Sequence, residues 1–260
     1  MRILYINSVY EFGSTGRLVK DLMTHAKKEG HEVLSAYGRH PQVQTSDTFY
    51  MGSKIESFWH LIMTRLFGRH GLHSSLSTQK LINRIQSFNP DVIHLHNLHG
   101  YYLNVPLLMD YLKTLDVKIV WTLHDTWTVS GSAAYFDYYG CKVWGEGCVV
   151  CNATKEYPEV KFFPNQRRNF KWKRDHFKGF KNLEIITVSD WLKTLINTTF
   201  LKEYPVTRVY NGIDLETFNI KKKTTNNKIQ LLGVANMWEK RKGLVDFIEL
   251  SKRLSEEYTI

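Results

Sequence analysis

The first 29 residues, MRILYINSVYEFGSTGRLVKDLMTHAKKE (1–29), decide the fold class. Ile3-Leu4-Tyr5-Ile6 is a short apolar run of the kind that forms a strand buried on both faces. A turn carrying Gly13 and Gly16 follows, and from Gly16 to Glu29 the residues Leu18, Leu22 and His25-Ala26 keep one helical face. The same alternation runs outward from there. Strands are expected at Glu32–Ala36, Asp91–Leu95, Lys118–Leu123 and Leu183–Val188, and helices at Ile55–Phe67, Leu76–Phe88, Val105–Leu115 and Trp191–Phe200. Alternating strands and helices predict an α/β fold with a doubly wound, Rossmann-like parallel sheet. Residues 124–164 break the rhythm, and an irregular stretch of that length in a compact domain points to function.

A short strand at Val206–Tyr210 leads to Asn211-Gly212, a turn signal because both residues tolerate positive φ. A polar, basic stretch follows, and the pattern then restarts with a strand at 229–234 and a helix at 243–254. The expected organisation is one domain over 1–212, a linker over 213–228, and over 229–260 the first β-α unit of an incomplete second Rossmann-like domain. One such unit cannot bury its own apolar face.

Composition narrows the classes. With 43% hydrophobic and 13% aromatic residues the chain has material for a packed core, which excludes disorder. No run reaches the roughly 18–20 apolar residues of a membrane-spanning helix, and Met1-Arg2 leads straight into a strand without the apolar core of a signal peptide, so a cytoplasmic location is expected. The net charge of +10 suggests an anionic partner: nucleic acid, anionic lipid or a phosphorylated small molecule. Residues 161–181 hold eight Lys or Arg and one acid, +7 in all, interleaved with aromatics. Such a segment suits an anionic membrane or single-stranded nucleic acid, or else a solvated helix whose aromatics face the core. The candidates for lipid contact are Arg167, Arg168, Lys171, Trp172, Lys173 and Arg174.

Cys141, Cys148 and Cys151 are odd in number, which argues against a disulfide framework and for a reducing compartment. Structural zinc wants four ligands, and the fourth would have to be a His such as His124 or His176. Half of a metal site, buried reduced thiols and a reactive pair all remain open.

Polar residues gather where a parallel sheet binds ligands, at the carboxyl ends of its strands. His94-Leu95-His96-Asn97-Leu98-His99 and Thr122-Leu123-His124-Asp125 place four histidines at two such ends. His124 is the most reactive candidate, since the carboxylate of Asp125 adjacent in sequence could fix its tautomer. The glycine turn at Gly13 and Gly16 offers a close backbone approach and helix N–H groups for an anion, but it lacks the third glycine of a dinucleotide fingerprint. Arg241-Lys242-Gly243, before the last helix, could hold a diphosphate by charge. No serine elbow, P-loop or His-Glu-x-x-His is present, which weakens hydrolase and NTPase readings.

In order, INSVYEFGSTGR (6–17), DVIHLHNLHGYYLN (91–104), TLHDTWTVSG (122–131), residues 135–151, VSDWL (188–192), YNGIDLETF (210–218) and residues 232–243 resemble glycosyltransferase family 4, in its bacterial capsular and exopolysaccharide branch. The resemblance covers most of the chain. It implies the two-domain GT-B fold and sugar transfer from a nucleotide sugar, with retention of configuration, to an acceptor expected to be a lipid-linked saccharide. It places the protein peripherally at the inner face of the cell membrane and predicts no nucleic-acid partner. By the same resemblance Gly16 would face the donor diphosphate, His124 would contact the donor sugar near the reacting carbon, and Arg241 and Lys242 would neutralise the leaving nucleoside diphosphate. Ser14, Thr15, Arg17, His96, Asn97 and Asp125 are then the candidates for the acceptor and sugar side. No Asp-x-Asp occurs, so no metal or other cofactor is expected. Two departures stand out: Ala133 occupies a position where relatives carry a further cysteine, and the family's paired donor-binding glutamates would lie beyond Ile260. The resemblance therefore predicts a fragment with a complete acceptor domain that is inactive by itself. The alternative from another class is a non-catalytic module that binds saccharide or nucleic acid.

Overall fold

The computed structural model describes residues 1–40, 45–141, 148, 155–219, 228–235, 238–255 and 257–259. Two compact units divide it, Met1–Gly212 and Ile213–Ile260. The first contains β1 (Arg2–Asn7), α1 (Gly13–Lys28), β2 (Glu32–Tyr37), β3 (Thr48–Tyr50), α2 (Lys54–Phe67), α3 (Ser75–Phe88), β4 (Val92–Leu95), α4 (Val105–Leu112), β5 (Lys118–Leu123), α5 (Gln166–Phe177), β6 (Leu183–Thr187), α6 (Asp190–Ile196) and β7 (Val206–Arg208). Its strands form one parallel sheet in the order β3-β2-β1-β4-β5-β6-β7. The chain winds outward from β1 in one direction and from β4 in the other, so the topological switch point lies between them, with Ile6 beside Leu95.

Side-chain alternation sorts the core. Leu4 and Ile6 of β1 join Leu34, Ile93 and Leu95 in the larger apolar cluster, together with Leu81, Ile85 and Phe88 of α3, Leu108, Met109 and Leu112 of α4, and Phe177 of α5. Tyr5, between them in sequence, points the other way and packs with Val33, Tyr37 and the α1 residues Val19, Met23 and Ala26. Each fully buried Leu, Ile or Phe contributes roughly 1.5–3 kcal/mol to this assembly. Helix starts follow local chemistry: Ser53, Asn104 and Ser189 each accept a backbone N–H of the first turn of α2, α4 and α6.

Three elements differ from the sequence expectation. Strand β3 is only three residues long and carries no extended apolar run, so its pairing with β2 sets it. The segment expected as a helix from Trp191 to Phe200 is α6 followed by a 3-10 turn at Phe200–Glu203, with Thr199 capping the turn through Leu201 N–H. Helix α1 begins at Gly13, so Gly16 lies one turn inside it rather than at its start.

The irregular stretch after β5 opens with a buried segment. Residues 126–134 are all buried, and several of their polar groups are paired within the segment or with Tyr157: Thr126 Oγ1 donates to Ala134 O at 2.8 Å, Ser130 Oγ to Ala133 O at 2.7 Å, and Ala134 N–H to Tyr157 O at 3.0 Å. Gly131 is required here, because a Cβ would stand 2.4 Å from Gln166 O.

The second unit holds a parallel pair, β8 (Ile229–Gln230) and β9 (Tyr258–Thr259), and α7 (Leu244–Arg253), none of whose side chains is buried. Half of the expected linker, residues 220–227, lies outside the described residues. Among the described residues no helix is long and apolar enough to cross a membrane.

Candidate functional site

The site is built on the carboxyl ends of β4 and β5. Residues two apart on a strand share a face, so His94 and His96 stand beside Thr122 and His124. His94 Nε2 lies 2.8 Å from Thr122 Oγ1, and His96 Nδ1 lies 3.1 Å from His124 Nε2. The His94 and His96 rings are 4.3 Å apart and those of His96 and His124 5.4 Å, a continuous row of imidazoles. Burial pushes His94 and His124 down to about 4 and His96 well below the ordinary range. At His124 the Asp125 carboxylate opposes this and His99 reinforces it. All three rings are therefore neutral at pH 7. His124, Asn97 and Asp125 remain half-buried, which leaves them able to meet a ligand at the rim.

The expectation that Asp125 fixes the His124 tautomer is corrected. Asp125 Oδ2 accepts from His99 Nε2 at 2.8 Å and its Oδ1 from Trp127 N–H at 2.9 Å. Burial raises the Asp125 carboxyl, but His99, the Trp127 N–H and His124 outweigh it, so the group stays ionised. An ionised carboxylate only accepts, so His99 Nε2 carries the proton and Nδ1 faces the Tyr157 hydroxyl at 3.1 Å. The pairing was not readable from the sequence because the two partners sit on different strand ends.

Behind His99 lies a second group of rings. His70 is buried 6.2 Å from His99 and 5.9 Å from His60, centroid to centroid. His60 Nε2 accepts Gly71 N–H at 2.9 Å, and its Nδ1 faces Ser74 Oγ at 3.0 Å, so it is a neutral ring pushed down to about 3 by burial and by His73. His60 and His70 carried no periodic or motif signal, and sequence reasoning missed them. It also missed Asn7 as a site residue. This last residue of β1 is fully buried, donates to Val9 O at 2.8 Å and to Thr15 Oγ1 at 3.4 Å, and accepts Asn97 N–H at 3.2 Å. A polar residue closing an apolar strand was the available signal.

Asn7 thus ties the α1 turn to the β4 end and brings Thr15 and Asn97 into one neighbourhood. Ser14 and Arg17 are exposed on the same turn. Gly16 is buried, and a Cβ there would meet Glu11 N at 3.1 Å and Tyr10 C at 3.2 Å, so its smallness lets the turn fold over the helix. Arg241 and Lys242 belong to the second unit, in the 3-10 turn Lys240–Lys242, where Arg241 Nε pairs with Glu239 at 2.8 Å.

The lipid-contact set needs a correction. Arg167, Arg168, Lys171 and Arg174 are exposed on α5, but Lys173 is 1% exposed and faces inward. Its Nζ donates to Trp127 O at 2.5 Å and Ser130 O at 2.9 Å and sits 3.8 Å over the Trp127 ring. Burial pushes its ammonium well below the usual range. Trp172 packs beside Trp127 and Phe177 and donates Nε1–H to Asn169 Oδ1. The helical period turns both residues toward the loop that follows β5.

Cys148 is buried and its Sγ accepts Gly131 N–H at 3.3 Å, while Cys141 is half-buried and Cys151 lies outside the described residues. The two nominated fourth ligands have other partners: His124 has His96, and His176 Nδ1 has Asp110 Oδ1 at 2.7 Å. Among the described residues no cluster of three metal-ligating side chains occurs.

Residues 15–217 match the family model described as Glycosyltransferase Family 4. A protein of Escherichia coli (strain K12) bearing the name colanic acid biosynthesis glycosyl transferase WcaC is 30% identical over 173 residues, covering 62% of this chain and 42% of that protein. A solved structure, the glycosyltransferase SnogD from Streptomyces nogalater, aligns over 88% of this chain and 56% of its own at 16% identity and a TM-score of 0.37. The chain thus spans less than half the length of the curated relative it matches.

Proposed function

Because the chain belongs to glycosyltransferase family 4, we propose that it takes part in sugar transfer from a nucleotide sugar to a lipid-linked saccharide in cell-surface polysaccharide synthesis, with retention of configuration. The observation that carries the reading is the half-buried, neutral His124 at the end of β5, held against His96 and next to the Asp125–His99 pair. A neutral imidazole donates a hydrogen bond to a sugar hydroxyl or ring oxygen without adding positive charge to a carbon that is itself becoming cationic. The ionised Asp125, whose field raises the pKa of His124, adds negative charge at the same strand end, which favours an oxocarbenium-like centre.

The first unit is the acceptor side on this proposal, with Asn97, Thr15, Ser14 and Arg17 at its rim. Arg241 and Lys242 neutralise the diphosphate as it leaves, and no metal is needed. The protein works peripherally at the cytoplasmic face of the membrane, where its lipid-linked acceptor is. The test is the anomeric configuration of the product, read by NMR after transfer by the gene product as the cell makes it from a panel of uridine- and guanosine-diphosphate hexoses. The α- or β-configuration of the donor is expected to be kept, and inversion would overturn the mechanism.

A further inference from the structure

Helix α2 buries its polar side and exposes its apolar one. Glu56, His60 and Thr64, four apart, form the inner stripe. Glu56 accepts the N–H groups of Leu76 and Ser77 at the start of α3, at 3.0 and 2.9 Å, and His60 and Thr64 are fully buried and hydrogen-bonded. The outer stripe carries Ile55 at 83% exposure, Phe58 at 65% and Trp59 at 55%. A helix in a water-exposed position is expected to show the reverse order.

The apolar stripe continues onto a second segment. Lys161 N–H donates to Arg65 O at 2.7 Å, Phe163 N–H to Leu66 O at 3.0 Å, and Asn165 Nδ2 to Phe67 O at 2.8 Å. These bonds fix residues 161–165 along the end of α2, with the Phe163 ring stacked 5.8 Å from that of Phe67 and Phe162 65% exposed beside it. Immediately beyond, Arg167, Arg168 and Lys171 line an open concavity of about 470 Å³ at the start of α5. Over α2 and residues 159–171 the exposed cations are Lys54, Arg65, Lys161, Arg167, Arg168 and Lys171. The two carboxylates of the same segments are engaged, Glu56 by α3 and Glu159 by Arg65 at 3.5 Å.

We infer that this combined face docks on an anionic lipid bilayer, with Phe58, Trp59, Phe162 and Ile55 entering the boundary between headgroups and acyl chains and the cations meeting lipid phosphates. An apolar stripe rimmed by cations, in a helix that lies along the surface, fits a membrane interface. A second copy of the chain is disfavoured, since a two-fold contact would set like cations against each other. The inner stripe of α2 leads back through His60, His70 and His99 to the strand-end site, so docking on this face sets that site one layer from the bilayer. The inference rests on the lipid-linked acceptor proposed above. It keeps the exposed cations of α5 and moves the apolar part of the contact from Trp172 to α2 and Phe162.

Flotation with vesicles separates insertion from a purely electrostatic contact. Wild-type protein is expected to float with phosphatidylcholine vesicles containing phosphatidylglycerol and to keep part of that binding at high salt, where charge is screened. The double variant Phe58→Ser/Trp59→Ser keeps every cation and is expected to lose about tenfold in binding, given the apolar surface it removes. Phe162→Ser is expected to act in the same direction, and Arg167→Glu/Arg168→Glu to lower binding to the anionic vesicles. Circular dichroism and thermal melting confirm that each variant is folded. Quenching of Trp59 by brominated acyl chains, absent in Trp59→Phe, reports insertion. Equal flotation of wild type and Phe58→Ser/Trp59→Ser would overturn the inference. So would a wild-type protein that ignores vesicles but self-associates through this face in sedimentation velocity. Transfer to a water-soluble acceptor is read with the gene product as the cell makes it, wild type against Phe58→Ser/Trp59→Ser, so loss of docking and loss of transfer are distinguished.

Discussion

Acidification is predicted to unfold the first unit through its buried histidines. His60 is pushed down to about 3 and His94 and His124 to about 4, chiefly by burial. A depressed folded-state pKa means that the unfolded chain binds more protons, so stability is full above the unfolded value near 6.5 and falls as pH drops toward the folded value. At pH 5 each ring is about 1.5 pH units below its unfolded pKa, which costs about 2 kcal/mol at about 1.36 kcal/mol per unit. The three together cost about 6 kcal/mol, comparable with the roughly 5–15 kcal/mol that holds a typical domain together. His70 and His96, shifted in the same direction, add to the loss. Urea titrations followed by circular dichroism between pH 7.5 and 5 are expected to show a slope of about three protons or more near pH 5.5. His60→Gln is expected to be less stable at pH 7.5 and to lose about 2 kcal/mol less than wild type on acidification. Stability that stays level over this range would refute the reasoning, because it would mean that the rings protonate in place.

Three further perturbations follow from the geometry. Lys173→Met leaves the carbonyl oxygens of Trp127 and Ser130 without a donor; each costs about 1–3 kcal/mol, partly offset by removing a buried charge, so a net loss of about 2–4 kcal/mol is expected in thermal or urea unfolding. Asp125→Asn keeps the acceptor for Trp127 N–H but presents an amide to His99, so turnover is expected to drop about 10–100-fold with a change in the pH profile and little change in stability. Gly16→Ala forces a Cβ within 3.1 Å of the Glu11 backbone, which displaces the α1 turn; weaker donor binding in calorimetry with an intact fold is expected.

The parallel sheet was plain in the sequence because its strands are short apolar runs that need both faces covered, while the switch point between β1 and β4 came from the strand pairing. Strand β3 was not, since three residues paired to β2 depend on a neighbour rather than on their own pattern. At the site, the polar strand ends announced His96, Asn97, His124 and Asp125. The pairing of Asp125 with His99, 26 residues away, is a matter of tertiary geometry. Adjacency in sequence misled for His124 because successive residues leave a strand end in opposite directions. Lys173 reads as one cation in a basic run, and its burial is set by the carbonyls of a loop that has no pattern of its own. For helix α2 the sequence indicated only a helix over 55–67, and the outward placement of Ile55, Phe58 and Trp59 is a matter of tertiary packing.

The central claim is that sugar transfer runs at the histidine-lined ends of β4 and β5. The most direct test is transfer of radiolabelled sugar from nucleotide-sugar donors to lipid-linked acceptor by the gene product as the cell makes it, wild type against His124→Ala. The account predicts folded proteins of similar stability at pH 7.5, with turnover by His124→Ala reduced about 10²–10⁴-fold. Undiminished transfer by folded His124→Ala would contradict it.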